Sequence, residues 1–303
     1  MDEVMASLVT KRSHQPPAVL MVGAGAMAAF VGSRLARSGC ATWWLGRHGL
    51  QSIVLVIEDG VISHEIRRPA PTQVDLSNVR LAIIAVKAYD LANAWESAKV
   101  ILSPQIPIWI IGNGAVWEES YLLDTKRCVR LGISSVGVSN IGDCHFTVHG
   151  TAGRILIGPL AGDRELSEAE TFVFENSAGF SWSSDLMPFA REKWFFNAVI
   201  NTLAAHHRLA RNGDLTQHVD EVNSLAQEVW NCGQARWGSW NSEFPVMLQK
   251  LWQLIQDTAD NENSMARDRR LGRRLEAPWL HGVCSEKISG LEQYRHLLLL
   301  PLM

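Results

Sequence analysis

The sequence predicts an α/β fold in two parts: an N-terminal domain built on a mostly parallel sheet, followed by an all-helical C-terminal domain. Three observations carry this reading. Continuous apolar runs recur between Ala18 and Ile111, the mark of strands buried on both faces. A glycine turn separates the first run from a helical stretch. Beyond Pro188, strand patterning gives way to helical periodicity. A chain of 303 residues also exceeds what a single core comfortably serves. The expected division is a loose tail over 1–17, a first domain over 18–184 and a helical domain over 185–303.

Ala18-Val19-Leu20-Met21-Val22 reads as the first buried strand, and Gly23-Ala24-Gly25-Ala26-Met27-Ala28 follows it directly. In a G-x-G-x-x-G/A turn the first glycine permits the tight bend. The second lets backbone N–H groups approach a diphosphate, and the third small residue lets the helix lie close on the sheet. Placed between a strand and a helix, the pattern predicts a Rossmann-type, dinucleotide-binding domain, with Gly23, Gly25, Ala26, Met27 and Ala28 at the cofactor. The second strand, Ala41–Leu45, ends at Gly46-Arg47, where NAD binders usually carry an acid for the ribose hydroxyl. Arg47 suits a 2′-phosphate instead, so NADP is expected over NAD. Arg67 and Arg68 could serve the same end, and Arg47 could simply face solvent. Residues 53–66 alternate around Glu58-Asp59-Gly60 as a hairpin does.

Val79–Val86 and Ile106–Ile111 read as further parallel strands flanking a helix from Tyr89 to Ile101. Lys87 and Asn113 stand at their carboxyl ends, the edge at which doubly wound sheets bind ligands. From Cys128 to Ile157 three short strands are expected to extend the same sheet, partly antiparallel. A charged helix over 163–178 and an edge strand at Phe180–Ser183 close the domain.

Phe189 to Ala205 contains no Pro or Gly and, outside one polar stripe, is almost wholly apolar, so it reads as one buried helix. Lys193, Asn197 and Asn201 recur every four residues along one stripe of it. Buried amines and amides need partners, so the stripe reads as the wall of a polar pocket. Helices at Asp220–Ala235 and Phe244–Ala259 follow. On one straight helix Ser264 and Glu276 would stand about 18 Å apart. A break at Gly272, with Pro278 opening a new first turn, lets both reach one pocket. A plain N-cap for Ser264 and a dipole partner for Glu276 explain the same residues equally well.

A net charge of −3 excludes an electrostatic footprint for nucleic acid or anionic membrane. No apolar run reaches the length of a membrane span, and residues 1–17 lack a signal peptide's apolar core. Five scattered cysteines without C-x-x-C argue against a disulfide framework and fit a reducing, cytoplasmic setting. His206 and His207 point different ways on one helix, and no metal-ligand spacing is evident, so no metal is expected.

Taken in order, the residues resemble the ketopantoate reductase (2-dehydropantoate 2-reductase) family from Ala18 to about Gly282. The resemblance rests on the turn at Gly23, Val86-Lys87-Ala88, Gly112-Asn113-Gly114, Lys193-x3-Asn197-x3-Asn201, and Asn261-x2-Ser264-Met265 with Glu276 twelve residues after the serine. It implies NADPH-dependent reduction of 2-dehydropantoate to pantoate, on the route to pantothenate and coenzyme A. Lys193 would be the catalytic lysine and proton donor, with Glu276 orienting it. Ser264 would bind the substrate carboxylate, Asn197 and Asn201 its hydroxyl and oxo groups, with Asn261 beside them. Lys87 and Asn113 would line the cofactor side. The partner would be a small-molecule 2-oxo acid, and a homodimer is compatible with the family. The loop Ala115-Val116-Trp117-Glu118, residues 232–250 and the tail after Ser285 depart from the family pattern. They leave open an NADP-dependent reductase of another bulky 2-oxo acid, or a non-catalytic NADP-binding sensor.

Overall fold

The computed structural model describes residues 15–46, 49–50, 53–59, 62–68, 76–123, 125–142, 144–149, 153–284, 293–294 and 296–298; between 49 and 68 only the backbone is described. In chain order the first half comprises β1 (Ala18–Val22), α1 (Ala26–Arg37), β2 (Ala41–Gly46), β3 (Gly49–Leu50), β4 (Ile53–Asp59) and β5 (Ile62–Arg68). Then come β6 (Val79–Ile84), α2 (Leu91–Ile101), β7 (Ile108–Ile111), α3 (Ser120–Leu123), β8 (Val129–Ser134), β9 (Gly137–Gly142) and β10 (His145–His149). β11 (Ile155–Ala161), α4 (Glu168–Asn176) and β12 (Phe180–Trp182) complete the sheets. The remaining helices are α5 (Met187–His207), α6 (Val219–Trp237), α7 (Phe244–Asp257) and α8 (Ser264–Arg270).

The main sheet runs β12-β11-β8-β7-β6-β1-β2-β3, and its central strands β2, β1, β6, β7 and β8 are parallel. The α/β fold with a helical second half is as the sequence predicts. β1, β6 and β7 are buried nearly end to end, because α1 covers one face and α2 with the helical half covers the other. One expectation is corrected. Of the strands between Cys128 and Ala161, β8 and β11 extend the main sheet, whereas β9 and β10 pair with the 53–68 hairpin in a second sheet, ordered β5-β4-β10-β9. α1 touches strands of both sheets, which is why its small residues Ala28, Ala29 and Gly32 are buried on several sides. At Gly32 a Cβ would stand 2.5 Å from the Trp44 ring, so glycine sets how closely α1 approaches β2.

α5 is a single 21-residue helix with Pro188 in its first turn and Arg208 in the left-handed conformation at its end. Trp194, Phe195, Ala198, Val199 and Leu203 are fully buried, so this helix is the spine of the second half. Trp230 and Trp240 stack 4.9 Å apart beside Phe195, giving the aromatic residues a packing role. The expectation of unpaired cysteines is corrected at Cys232 and Cys284, which form a disulfide across a separation of 52 residues. The chain returns to α6 after Trp279 and brings the two Cα atoms to 5.8 Å, within the span a bridge requires. Sequence spacing alone concealed that return. Among the described residues no helix is long and apolar enough to cross a membrane.

Candidate active site

The carboxyl ends of β1, β6, β7 and β8 meet the cavity-facing side of α5 and α8 across one cleft of about 1730 Å³. The turn after β1 is constrained by packing. Gly23 has φ +107, its N–H donates to the Leu45 carbonyl, and a Cβ there would lie 2.6 Å from the Ala85 carbonyl oxygen. Gly25 differs. It caps α1 with ordinary extended backbone, no side chain competes for the helix's first N–H groups, and a Cβ there would meet nothing within 4 Å. Free N–H groups, a favourable helix dipole, no acid in the first turn and open space form a cradle that fits a dinucleotide diphosphate. Ala26 and Met27 line the same cleft, whereas Ala28 is buried beneath it. Arg47 lies outside the described residues.

Two lysines face this cleft from opposite halves, and their surroundings differ sharply. Lys87 Nζ donates to Asp268 Oδ2 at 2.8 Å and to Glu276 Oε2 at 3.2 Å. The backbone N–H of Ala88 donates to Glu276 Oε1 at 3.1 Å. Burial alone would lower the Lys87 pKa, but the two carboxylates outweigh it and hold the ammonium charged well above its ordinary range. Lys193, from the second turn of α5, reaches between the halves and donates to the Ser134 carbonyl at the end of β8, at 2.7 Å. Burial lowers its pKa from 10.5 to about 8, opposed by the Glu276 charge. Glu276 is thus bonded to Lys87 and acts on Lys193 only through space, a different geometry from the direct orienting contact expected.

The remaining predicted residues are brought together as follows. Asn113, Asn197, Asn201, Asn261 and Ser264 all line the cleft. Asn113 precedes Gly114, which has φ +76 and sits against the Trp279 backbone; the Ala115 N–H donates to the Trp279 carbonyl at 2.7 Å. The Asn201 oxygen accepts from Asn263 Nδ2 at 2.9 Å, so only part of its amide remains for a ligand. Asn263 also caps α8, accepting from the Met265 and Ala266 N–H groups, and bonds the Asn212 oxygen at 3.1 Å. Ser264 is therefore the first residue of α8 and not its cap; its side chain is exposed toward the cleft. Gly272, with φ +65, breaks the chain after α8, and Pro278 lies in a short 3-10 turn that delivers Glu276.

Asp268 and Ser134 were missed in the sequence. Asp268 follows Ser264 by four residues, so helical spacing could have placed it on the same face. The Ser134 contact is a backbone carbonyl and leaves no signal in residue type.

With this geometry in view, two family models match the chain. "Ketopantoate reductase PanE/ApbA" covers residues 19–162, and "Ketopantoate reductase PanE/ApbA C terminal" covers residues 185–287. The 2-dehydropantoate 2-reductase of Listeria monocytogenes is 29% identical over 271 residues, spanning 84% of this chain and 86% of that protein. That of Pyrococcus horikoshii is 26% identical over 310 residues, spanning 94% and 96%. Among solved structures, the 2-dehydropantoate 2-reductase of Geobacter metallireducens superposes with a TM-score of 0.75 at 18% identity, covering 93% of this chain and 98% of that one. The chain belongs to the ketopantoate reductase family.

Proposed function

We propose, from that membership, that the protein reduces 2-dehydropantoate to pantoate with NADPH. The observation that carries the reading is the contrast between the two lysines in one cleft: Lys87 held charged by carboxylates, Lys193 depressed into a titrating range. Groups whose surroundings drive their pKa values apart mark the division of roles in acid–base chemistry. The turn around Gly25 would hold NADPH, which would supply the hydride for the substrate's carbonyl carbon. Lys193 supplies the other half of the reduction. Its Nζ keeps one N–H on the Ser134 carbonyl and offers the others to the developing alkoxide, stabilising that charge and then giving up a proton. An amine with a pKa near 8 is mostly protonated at neutral pH and yet a competent donor.

Lys87, clasped by Asp268 and Glu276, acts as fixed positive charge beside the cofactor. Ser264 and Asn261 take the substrate carboxylate. Asn197 and the free part of the Asn201 amide take its hydroxyl and oxo groups. Asn113 and Met27 line the nicotinamide side, and Arg47 takes the 2′-phosphate. We place the boundary between a cofactor domain and a substrate domain near residue 184. We assign the protein to the cytoplasm on family membership alone, since the Cys232–Cys284 bridge removes the cysteine pattern as its ground.

The test is NADPH oxidation, followed by absorbance, with purified protein and 2-dehydropantoate; turnover above that with other 2-oxo acids is expected. Faster turnover of a bulkier 2-oxo acid would move the substrate within the same class. Tight NADPH binding with no oxidation by any 2-oxo acid would identify a sensor. A second expected result concerns pH. Reduction uses the protonated Lys193, so kcat should fall as pH rises through about 8. A pH–rate profile level from about pH 6 to pH 10 would remove Lys193 as the acid.

A further inference from the structure

Away from the cleft, the end of α5 and the start of α6 bring together three side chains that the sequence holds apart. His207 is the last residue of α5, His218 caps the start of α6, and Glu221 lies in the first turn of α6. His207 Nε2 and Glu221 Oε2 are 2.9 Å apart, His218 Nδ1 and Glu221 Oε1 are 3.4 Å apart, and the donor atoms of all three lie within 4.8 Å of one another. The two imidazoles stack with centroids 3.9 Å apart and planes 23° from parallel. Around a tetrahedral ion with bonds of about 2.0–2.2 Å, neighbouring donor atoms stand roughly 3.3 Å apart. The two imidazole–carboxylate separations bracket that value, and binding would turn the stacked rings so that both nitrogens face one ion.

A second observation concerns the acids beside Glu221, on the side of it that the two imidazoles do not line. Glu221 also borders a small cavity of about 220 Å³ whose other acids are Asp220 and Glu228. Glu228 Oε2 is buried and, among the described residues, has no hydrogen-bond partner. Two cations lie near the end of α5: Arg208, which directly follows His207, is exposed, and the Arg269 guanidinium donates to the Ala205 and His206 carbonyls. Negative charge therefore accumulates on the α6 side of the imidazole pair.

We propose that His207, His218 and Glu221 form a site for a divalent transition metal of zinc type, distinct from the reductive cleft. Two imidazoles and one carboxylate suit zinc and leave a fourth position for water. Such an ion would clip together the two ends of the 208–217 connection. That connection carries Asn212, which reaches the cleft wall and bonds Asn263. The site is thus placed to stiffen the substrate side without touching substrate.

The test is titration of zinc chloride into the full-length, chelator-stripped protein by calorimetry, with melting temperature followed in parallel. One equivalent should bind saturably and raise the melting temperature. Glu221→Gln and His218→Ala should each weaken binding by about tenfold or more. The metal-free melting temperature of Glu221→Gln should stay close to wild type, since glutamine keeps the size and an acceptor oxygen. Cobalt(II) should give a visible d–d band without a sulfur charge-transfer band. Absence of saturable uptake, affinity unchanged in both variants, or a thiolate band from cysteine ligation would each overturn the site.

Discussion

Lys193→Ala is expected to lower kcat for 2-oxo acid reduction by about a hundred- to ten-thousand-fold, the usual worth of a positioned proton donor. KM should change much less, because the amine's contribution is greatest when charge develops on the substrate oxygen. Stopped-flow single turnovers with NADPH would separate this chemical loss from slow product release. A kcat within about threefold of wild type would show that the proton comes from elsewhere. Lys193→Met carries a companion result on stability. A lysine pKa lowered in the fold means that folding opposes the ammonium. The destabilisation is complete below the folded value of about 8 and fades as pH rises toward the ordinary 10.5. Lys193→Met, which keeps the apolar stem, should therefore melt higher than wild type at pH 7, and the advantage should shrink at higher pH. Equal melting temperatures at pH 7 would show that the amine is solvated better than its setting implies.

The two turn glycines should fail in opposite ways. Gly25→Val places its Cβ where nothing lies within 4 Å and where the backbone is ordinary, so the fold and melting temperature should survive. NADPH affinity should not. Hydrogen bonds from backbone to a charged group are worth about 1.5–3 kcal/mol each, so displacing the diphosphate should weaken binding on the order of a hundredfold. Gly23→Ala instead meets a left-handed φ and the Ala85 carbonyl oxygen at 2.6 Å. It should cost about 1–3 kcal/mol of stability. Fluorescence titration and thermal melts on the pair decide the matter. Unchanged NADPH affinity in Gly25→Val would place the diphosphate somewhere other than this turn.

What could be read in the sequence was whatever depends on near neighbours. The buried strands β1, β6 and β7 show as unbroken apolar runs. The glycine turn shows because its three positions serve one bend. Lys193, Asn197 and Asn201 show because helical periodicity aligns them. What could not be read depends on residues meeting from afar. Lys87 meets Asp268 across 181 positions and Glu276 across 189. Nothing local at Glu276 distinguishes a partner for Lys87 from one for Lys193. The pairing of the 53–68 hairpin with β10, the Cys232–Cys284 bridge and the His207–His218–Glu221 cluster were hidden for the same reason: each is produced by the chain's return path, not by a spacing.

The second sheet imposes an order of assembly. Val56 in β4 pairs with His145 in β10, so the hairpin leaves the ribosome with one edge open and waits for its neighbour. At about 5–20 residues per second that interval lasts several seconds. Throughout it, the part of α1 that β9 and β10 will cover remains uncovered. Nascent chains halted before residue 145 should therefore be prone to aggregate and to recruit chaperones, and release once β10 has emerged should relieve both.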